Sequence, residues 1–363
     1  MARNHLWHDI LKILSEGNYI YSDLFPVVAA AWLTRSWPDE PLWLMVIGPP
    51  GTGKTTTLML FAEALKVKLV SDLTPASLIT AWGGHDRDPS LLAEIKDDWL
   101  LMVSDFSSIM ALGWERERQV LAILRQAFDG RVSKQFAMIT RAYEGIHFNT
   151  VCAGTEAVDQ HSPLNQQLGE RFLTYRPPQV HIPWPPRPIS KDLPKVVAEW
   201  LVDVSKHMDP QKAPLGDWLH DLATLTALMR TGVAHDYRTH DISEVPQPER
   251  PIRLAKQLRK LYGGVWASTQ DTALTRELVT KVALGTIPPS RYLIYRTLIA
   301  EPGLSTTEIA DRLGLGYTVL RYTMADLGVL GLVEHASGSK SKLYSWKVPD
   351  DMQTLFQELF TDL

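Results

Sequence analysis

The chain has 363 residues, a length of two to three structural units at roughly 150 residues each. Its apolar fraction of 45% and charged fraction of 21% are those of a globular protein and exclude a disordered or fibrous chain. A single cysteine, Cys152, excludes an internal disulfide and a cysteine-rich zinc module, and suits a reducing cytoplasm. With a net charge of −4, any nucleic-acid contact must come from local basic clusters.

No apolar stretch approaches the ~18–20 residues that span a bilayer. The N-terminus, Met-Ala-Arg-Asn-His, leads into an amphipathic pattern and not a secretory signal, so a cytoplasmic protein without membrane contact is expected. Residues 5–35 carry Trp7, Ile10, Leu11 and Leu14 at helical spacing. Pro41–Ile47 is a continuous apolar run, short enough for a buried parallel strand. Val67–Val70, Trp99–Val103 and Phe148–Ala153 repeat that signal between helical patterns, which predicts an α/β unit with a parallel sheet. Prolines crowd residues 177–188 and mark a boundary. The expected divisions are 1–40, 41–186, a helical segment 187–285, a compact unit 286–348 and a tail 349–363.

Between the first strand and the next helix lies Gly48-Pro49-Pro50-Gly51-Thr52-Gly53-Lys54-Thr55, followed by Thr56, which fits G-x-x-x-x-G-K-[ST]. Its glycines let successive backbone N–H groups face phosphate oxygens. Lys54 is expected at the β- and γ-phosphates of ATP and Thr55 on Mg²⁺. The strand Leu100–Val103 ends in Ser104-Asp105, so Asp105 is either the metal carboxylate or the one that orients the attacking water.

This P-loop with an acid-tipped strand resembles the AAA+ ATPases. Further segments resemble their MCM-like branch with a pre-sensor hairpin, found among phage and mobile-element replication ATPases. Asp129–Phe136 and Tyr143–Phe148 resemble the two hairpin arms, which would place Arg141 and Tyr143 near the tip, facing DNA in a central pore. Asn149–Thr155 resembles the sensor-1 strand, with Thr155 as its polar residue. Leu168-Gly-Glu-Arg171-Phe172 resembles the arginine-finger segment; Arg171 would then enter the neighbouring subunit's nucleotide, or else cap a helix of its own chain. Pro251–Leu258 resembles the lid helix with a sensor-2 arginine, Arg253, the other possibility being a solvated basic face with Lys256, Arg259 and Lys260. The resemblance implies an AAA+ parallel-sheet domain with a helical lid, a homo-oligomeric and hexameric ring, ATP and Mg²⁺, and a replication or mobile-element partner protein. It departs from the family in the Ser104-Asp105 pair, and no oligonucleotide-binding or primase segment is recognised before residue 41.

In 286–348, a first helix at Ser290–Ala300 precedes a capping box, Ser305-Thr-Thr-Glu308. A third helix follows at Tyr317–Leu327, with Leu320, Met324 and Leu327 inward, and then a hairpin around Ser337-Gly338. This pattern predicts a winged helix-turn-helix. Tyr317, Thr318 and Arg321, with Lys340 and Lys342 on the wing, are its candidate DNA contacts; a packing or docking module is the other use. Three functions stay open: a helicase or translocase on DNA, an ATP-switched loader or initiator, and a DNA-binding regulator with a nucleotide sensor. The hairpin favours the first.

Overall fold

The computed structural model describes residues 10–12, 23–83, 87–160, 171–178, 190–236, 238–239, 241–336 and 345–360. In chain order come helix α1 (Leu24–Leu33), strand β1 (Trp43–Ile47), helix α2 (Lys54–Met59) and strands β2 (Val67–Val70) and β3 (Asp97–Val103). Helix α3 (Trp114–Phe128) leads to β4 (Arg131–Gln135), β5 (Thr140–Glu144), β6 (His147–Gly154) and β7 (Leu173–Tyr175). Helices α4 (Leu193–His207), α5 (Trp218–Arg230), α6 (Ile252–Thr269), α7 (Thr272–Thr286) and α8 (Pro289–Ala300) follow. The chain continues through β8 (Leu304–Ser305), α9 (Thr306–Leu313), α10 (Tyr317–Val329), β9 (Glu334–His335), β10 (Ser345–Lys347) and α11 (Asp350–Phe360). No described helix is long and apolar enough to cross a membrane.

Two compact units emerge: Met1–Leu215 with Lys256–Val282, and Gly216–Ala255 with Ala283–Leu363. The segment 187–285, read from sequence as one helical body, is thus shared between them.

The first unit is a mixed α/β structure around a parallel five-stranded sheet of order β2-β3-β6-β1-β7. All five residues of β1 are buried, the state that its unbroken apolar run predicts for a strand covered on both faces. One face packs under α3 around Trp43, whose ring meets Phe128, Phe148 and Phe172 at 5.1, 5.6 and 5.3 Å between centroids. The other face is covered by α1, buried at every position, as a helix apolar all round must be. Buried Asn149 joins them: its Oδ1 accepts from the Leu42 amide at 2.7 Å and its Nδ2 donates to the Ala31 carbonyl at 2.8 Å. Gly264 of α6 lies against Ala30 so closely that an added Cβ would stand 2.6 Å from the alanine methyl. Only glycine permits that approach. Lys260, on the same helix, is fully buried, with Nζ on the carbonyls of Trp37 (2.7 Å) and Asp39 (3.1 Å). Lys256 is ion-paired to Asp39 at 3.0 Å, so the basic residues of α6 do not form one solvated face.

The hairpin exists, in a different register from the sequence expectation. Its arms are β4 and β5, paired Lys134 to Arg141 and Gln135 to Thr140, and residues 136–139 make the turn. Tyr143 to Phe148 is therefore the end of β5 and the start of β6, not a second arm.

In the second unit, α8, α9 and α10 pack beside an antiparallel sheet of order β8-β10-β9. The capping box forms as the sequence predicts: the Ser305 amide donates to Glu308 Oε2 at 2.7 Å, and Ser305 Oγ accepts from the Glu308 amide at 3.3 Å. Leu320, Met324 and Leu327 are buried. Buried Arg291 is the polar anchor of this unit, donating to the Met229 and Thr231 carbonyls (3.0 and 2.6 Å) and to Asp326 (2.8 Å).

Candidate functional site

The site grows from the end of β1. Beyond Ile47 the Gly48 amide donates to the Gly154 carbonyl at 3.4 Å, so the loop leaves the sheet beside the end of β6. Gly51 and Gly53 then take φ of +77° and +75°, the left-handed region where a side chain is strained. Thr52 Oγ1 closes the turn on the Pro49 carbonyl at 2.8 Å. Pro50, Gly51 and Thr55 are exposed, and Pro49, Gly53 and Thr56 half-buried. Helix α2 begins at Lys54 and runs to Met59 before breaking into turns.

Lys54 is 9% exposed. Its Nζ donates to the Gly48 and Pro49 carbonyls, both at 2.7 Å, and to Thr52 Oγ1 at 3.2 Å. Burial lowers its affinity for the proton, and the carboxylates of Glu156 and, more weakly, Asp105 act against that loss. An ammonium folded into a glycine-rich turn can exchange backbone carbonyls for phosphate oxygens, which are stronger acceptors.

The neighbouring strand ends supply the rest. Thr55 Oγ1 donates to the Ser104 carbonyl at 3.4 Å, which brings this hydroxyl to the tip of β3 beside Asp105. Asp105 is exposed, its amide on the Ser71 carbonyl (3.1 Å) and its own carbonyl accepting from Ser108 Oγ (2.7 Å). The Thr155 amide donates to Ser107 Oγ at 3.0 Å, and the two hydroxyls lie 3.3 Å apart. Lys54, Thr55, Asp105 and Thr155 thus converge at the carboxyl edge of the parallel sheet, where open α/β sheets bind ligands. Among the described residues no group of three His, Cys, Asp or Glu could hold a metal ion by itself. The Thr55 hydroxyl and Asp105 carboxylate fit Mg²⁺, which takes one or two protein oxygens and completes its shell with phosphate and water.

Other expected site residues lie elsewhere. Arg141 is 9% exposed, with its guanidinium on the Thr80 and Arg87 carbonyls (3.3 and 2.9 Å) and 3.8 Å from Asp88. Tyr143 is 5% exposed and donates to Asp88 at 2.7 Å; burial, with the Asp88 carboxylate, pushes its hydroxyl up to about 12. Both alternate onto the inner face of β5 and tie the hairpin to Thr80, Arg87 and Asp88; Arg141 is one residue from the last pair before the 136–139 turn, but its side chain packs inward. Arg171, nearly buried, pairs with Asp129 of its own chain at 3.1 Å, and its carbonyl accepts from Gln257 at 2.8 Å. Arg253 is half-buried in the first turn of α6, on the portion grouped with the second unit. Tyr317, Thr318 and Arg321 are exposed along α10, with Arg321 5.0 Å from the Tyr322 ring. Lys340, Lys342, Trp7, Leu14 and residues 168–170 lie outside the described residues. Sequence reasoning passed over Glu156, whose signal was an acid placed directly after the polar end of a buried strand.

The fold and this geometry define a mixed α/β protein with a glycine-rich loop at the carboxyl edge of a parallel five-stranded sheet. No protein-family model matches the chain. The RNA1 polyprotein of Raspberry ringspot virus (strain cherry) is 35% identical over 77 residues, which are 21% of this chain and 3% of that polyprotein. The chain therefore spans only a small part of the curated relative it matches.

Proposed function

We propose that the chain is an ATPase of the AAA+ type that binds ATP with Mg²⁺ at the 48–56 loop and couples hydrolysis to DNA. Lys54 carries the reading: a nearly buried ammonium held at 2.7 Å by the carbonyls of Gly48 and Pro49, on a turn bent by two left-handed glycines. In this function the loop amides and Lys54 hold the phosphates, Thr55 and Asp105 face the metal, and Thr155 meets the γ-phosphate from the end of β6. When bound, Mg²⁺ supplies neutralising charge between the β- and γ-phosphates. DNA would be met by a winged helix built from α8, α9, α10 and β8–β10, through the face that carries Tyr317, Thr318 and Arg321. The resemblance implies assembly as a homo-oligomeric ring, and a helicase or translocase role uses the 136–139 turn, with exposed Met138, as the element that meets the strand.

A second reading, a slow ATP-switched loader or initiator in a DNA-bound assembly, is favoured by two observations. Ser104 stands where the Thr55 hydroxyl meets β3, and Arg171 is engaged within its own chain. Phosphate release and strand displacement, measured with and without single-stranded and duplex DNA, decide between the two. Unwinding that stops in Lys54→Ala supports the motor; DNA-dependent turnover without unwinding supports the switch; no turnover under any condition overturns both.

A further inference from the structure

We propose that Glu156 is a catalytic carboxylate of the P-loop site, the group that takes the proton of the water attacking the γ-phosphate; this rests on the nucleotide-site reading above. Hydrolysis asks for one acid at the metal and one at the attacking water, and the end of β3 supplies a single carboxylate, Asp105, which leaves a gap. Glu156 fills that gap from the adjacent strand.

The backbone fixes its place. The Gly48 amide bonds to the Gly154 carbonyl, so Glu156 stands two residues beyond the point where the P-loop and β6 separate. The turn into the following helical residues is tight: a Cβ on Gly154 would stand 3.1 Å from Val158 Cγ2 and 3.6 Å from Ser107 Oγ. Ser107 also accepts from the Thr155 amide at 3.0 Å, which ties this turn to the segment immediately after Asp105. Glu156 and Asp105 are both exposed, on the ends of adjacent strands, and Lys54 lies within the field of both.

The roles divide by position. The Thr55 hydroxyl rests on the Ser104 carbonyl, so the metal side of the site is the Asp105 side. Glu156 follows the end of β6, the strand paired directly with β1 and its loop, which puts it on the side of Lys54, the side chain that would reach the β- and γ-phosphates. In the step itself, the water oxygen bonds to the γ-phosphorus while the bond from that phosphorus to the β–γ bridging oxygen breaks. ADP leaves with that electron pair, and the water's proton passes to a Glu156 carboxylate oxygen and then to solvent.

The test uses the full chain and its Glu156→Gln, Glu156→Asp and Lys54→Ala variants. Affinity for a fluorescent ATP analogue is measured with and without Mg²⁺, and the fate of bound radiolabelled ATP is followed in single turnovers. Glu156→Gln should bind the analogue with Mg²⁺ within about threefold of the native chain, retain it as intact ATP, and hydrolyse at least about 10²-fold more slowly, the usual worth of a positioned base. Glu156→Asp should recover part of the rate. Native-rate hydrolysis by Glu156→Gln overturns the assignment and leaves the site standing, as does a native chain that binds ATP with Mg²⁺ and never cleaves it. A native chain that binds no ATP, or a Lys54→Ala variant that matches it in affinity and rate, overturns the nucleotide-site reading and this inference with it.

Discussion

Arg171 is bonded to Asp129 of its own chain, its Nη2 donating to the two carboxylate oxygens at 3.1 and 3.2 Å while its guanidinium lies 5.5 Å from the centre of the Phe128 ring. The pair ties the segment just before β7 to the C-cap of α3. To reach a neighbouring subunit's phosphate, Arg171 must leave this partner. Arg171→Ala and Asp129→Ala should each lower stability by about 1 kcal/mol, with a double variant less destabilised than the two losses added together. Urea denaturation of the three variants measures that coupling. Additive losses, together with turnover restored by mixing Arg171→Ala with Lys54→Ala chains, would instead mean that Arg171 acts across a subunit boundary.

Asp105 should matter chiefly through magnesium. With the Thr55 hydroxyl on the adjacent Ser104 carbonyl, Asp105→Asn should weaken the Mg²⁺-dependent part of ATP binding by about ten- to a hundredfold and leave binding without Mg²⁺ almost unchanged. Titrating ATP with and without the metal checks this. An unaltered Mg²⁺ dependence would remove Asp105 from the metal side.

The local structure was legible where its signals are local. The spacing of Gly48, Gly53, Lys54 and Thr55, the apolar run of β1, the capping box at Ser305 and the inward Leu320, Met324 and Leu327 all depend on neighbours a few residues away. The hairpin register was not legible. Arg141 and Tyr143 look like surface residues until Thr80, Arg87 and Asp88, more than fifty residues earlier in the chain, supply their buried partners. The same holds for Lys260 and Arg291, ionisable side chains buried only because acceptors arrive from distant segments.

Lys260 makes stability depend on pH. Burial lowers its pKa from an ordinary 10.5 to about 7, only partly offset by Asp39 and Glu40. His147, whose ring nitrogen lies 3.3 Å from Nζ, is lowered as well, by burial and then by Lys260 itself. Lys256 completes the group of charges, paired to Asp39 and Glu40. Between about 7 and 10.5 the unfolded chain holds the Lys260 proton and the folded chain does not, so stability should rise with pH across that window. Urea midpoints taken from pH 6 to 10 should climb in the native chain and climb less in Lys260→Met. Parallel curves for the two would show that Lys260 stays charged when folded.

DNA contact through α10 has an ionic signature. Tyr317, Thr318 and Arg321 are exposed together on one helix of an otherwise acidic chain. Arg321→Ala should weaken duplex binding and flatten the slope of log K against log salt by about one unit, the loss of one phosphate contact. Fluorescence anisotropy across a salt series measures it. An unchanged slope would assign this helix to protein docking.

The most direct measurement is ATP binding to the native chain and to Lys54→Ala, by calorimetry with Mg²⁺ present. Removing the ammonium that bridges Gly48 and Pro49 should weaken binding at least about tenfold, a loss of 1.4 kcal/mol or more, with the native fold retained. Equal affinity in the two chains would contradict the claim that the 48–56 loop is a nucleotide site.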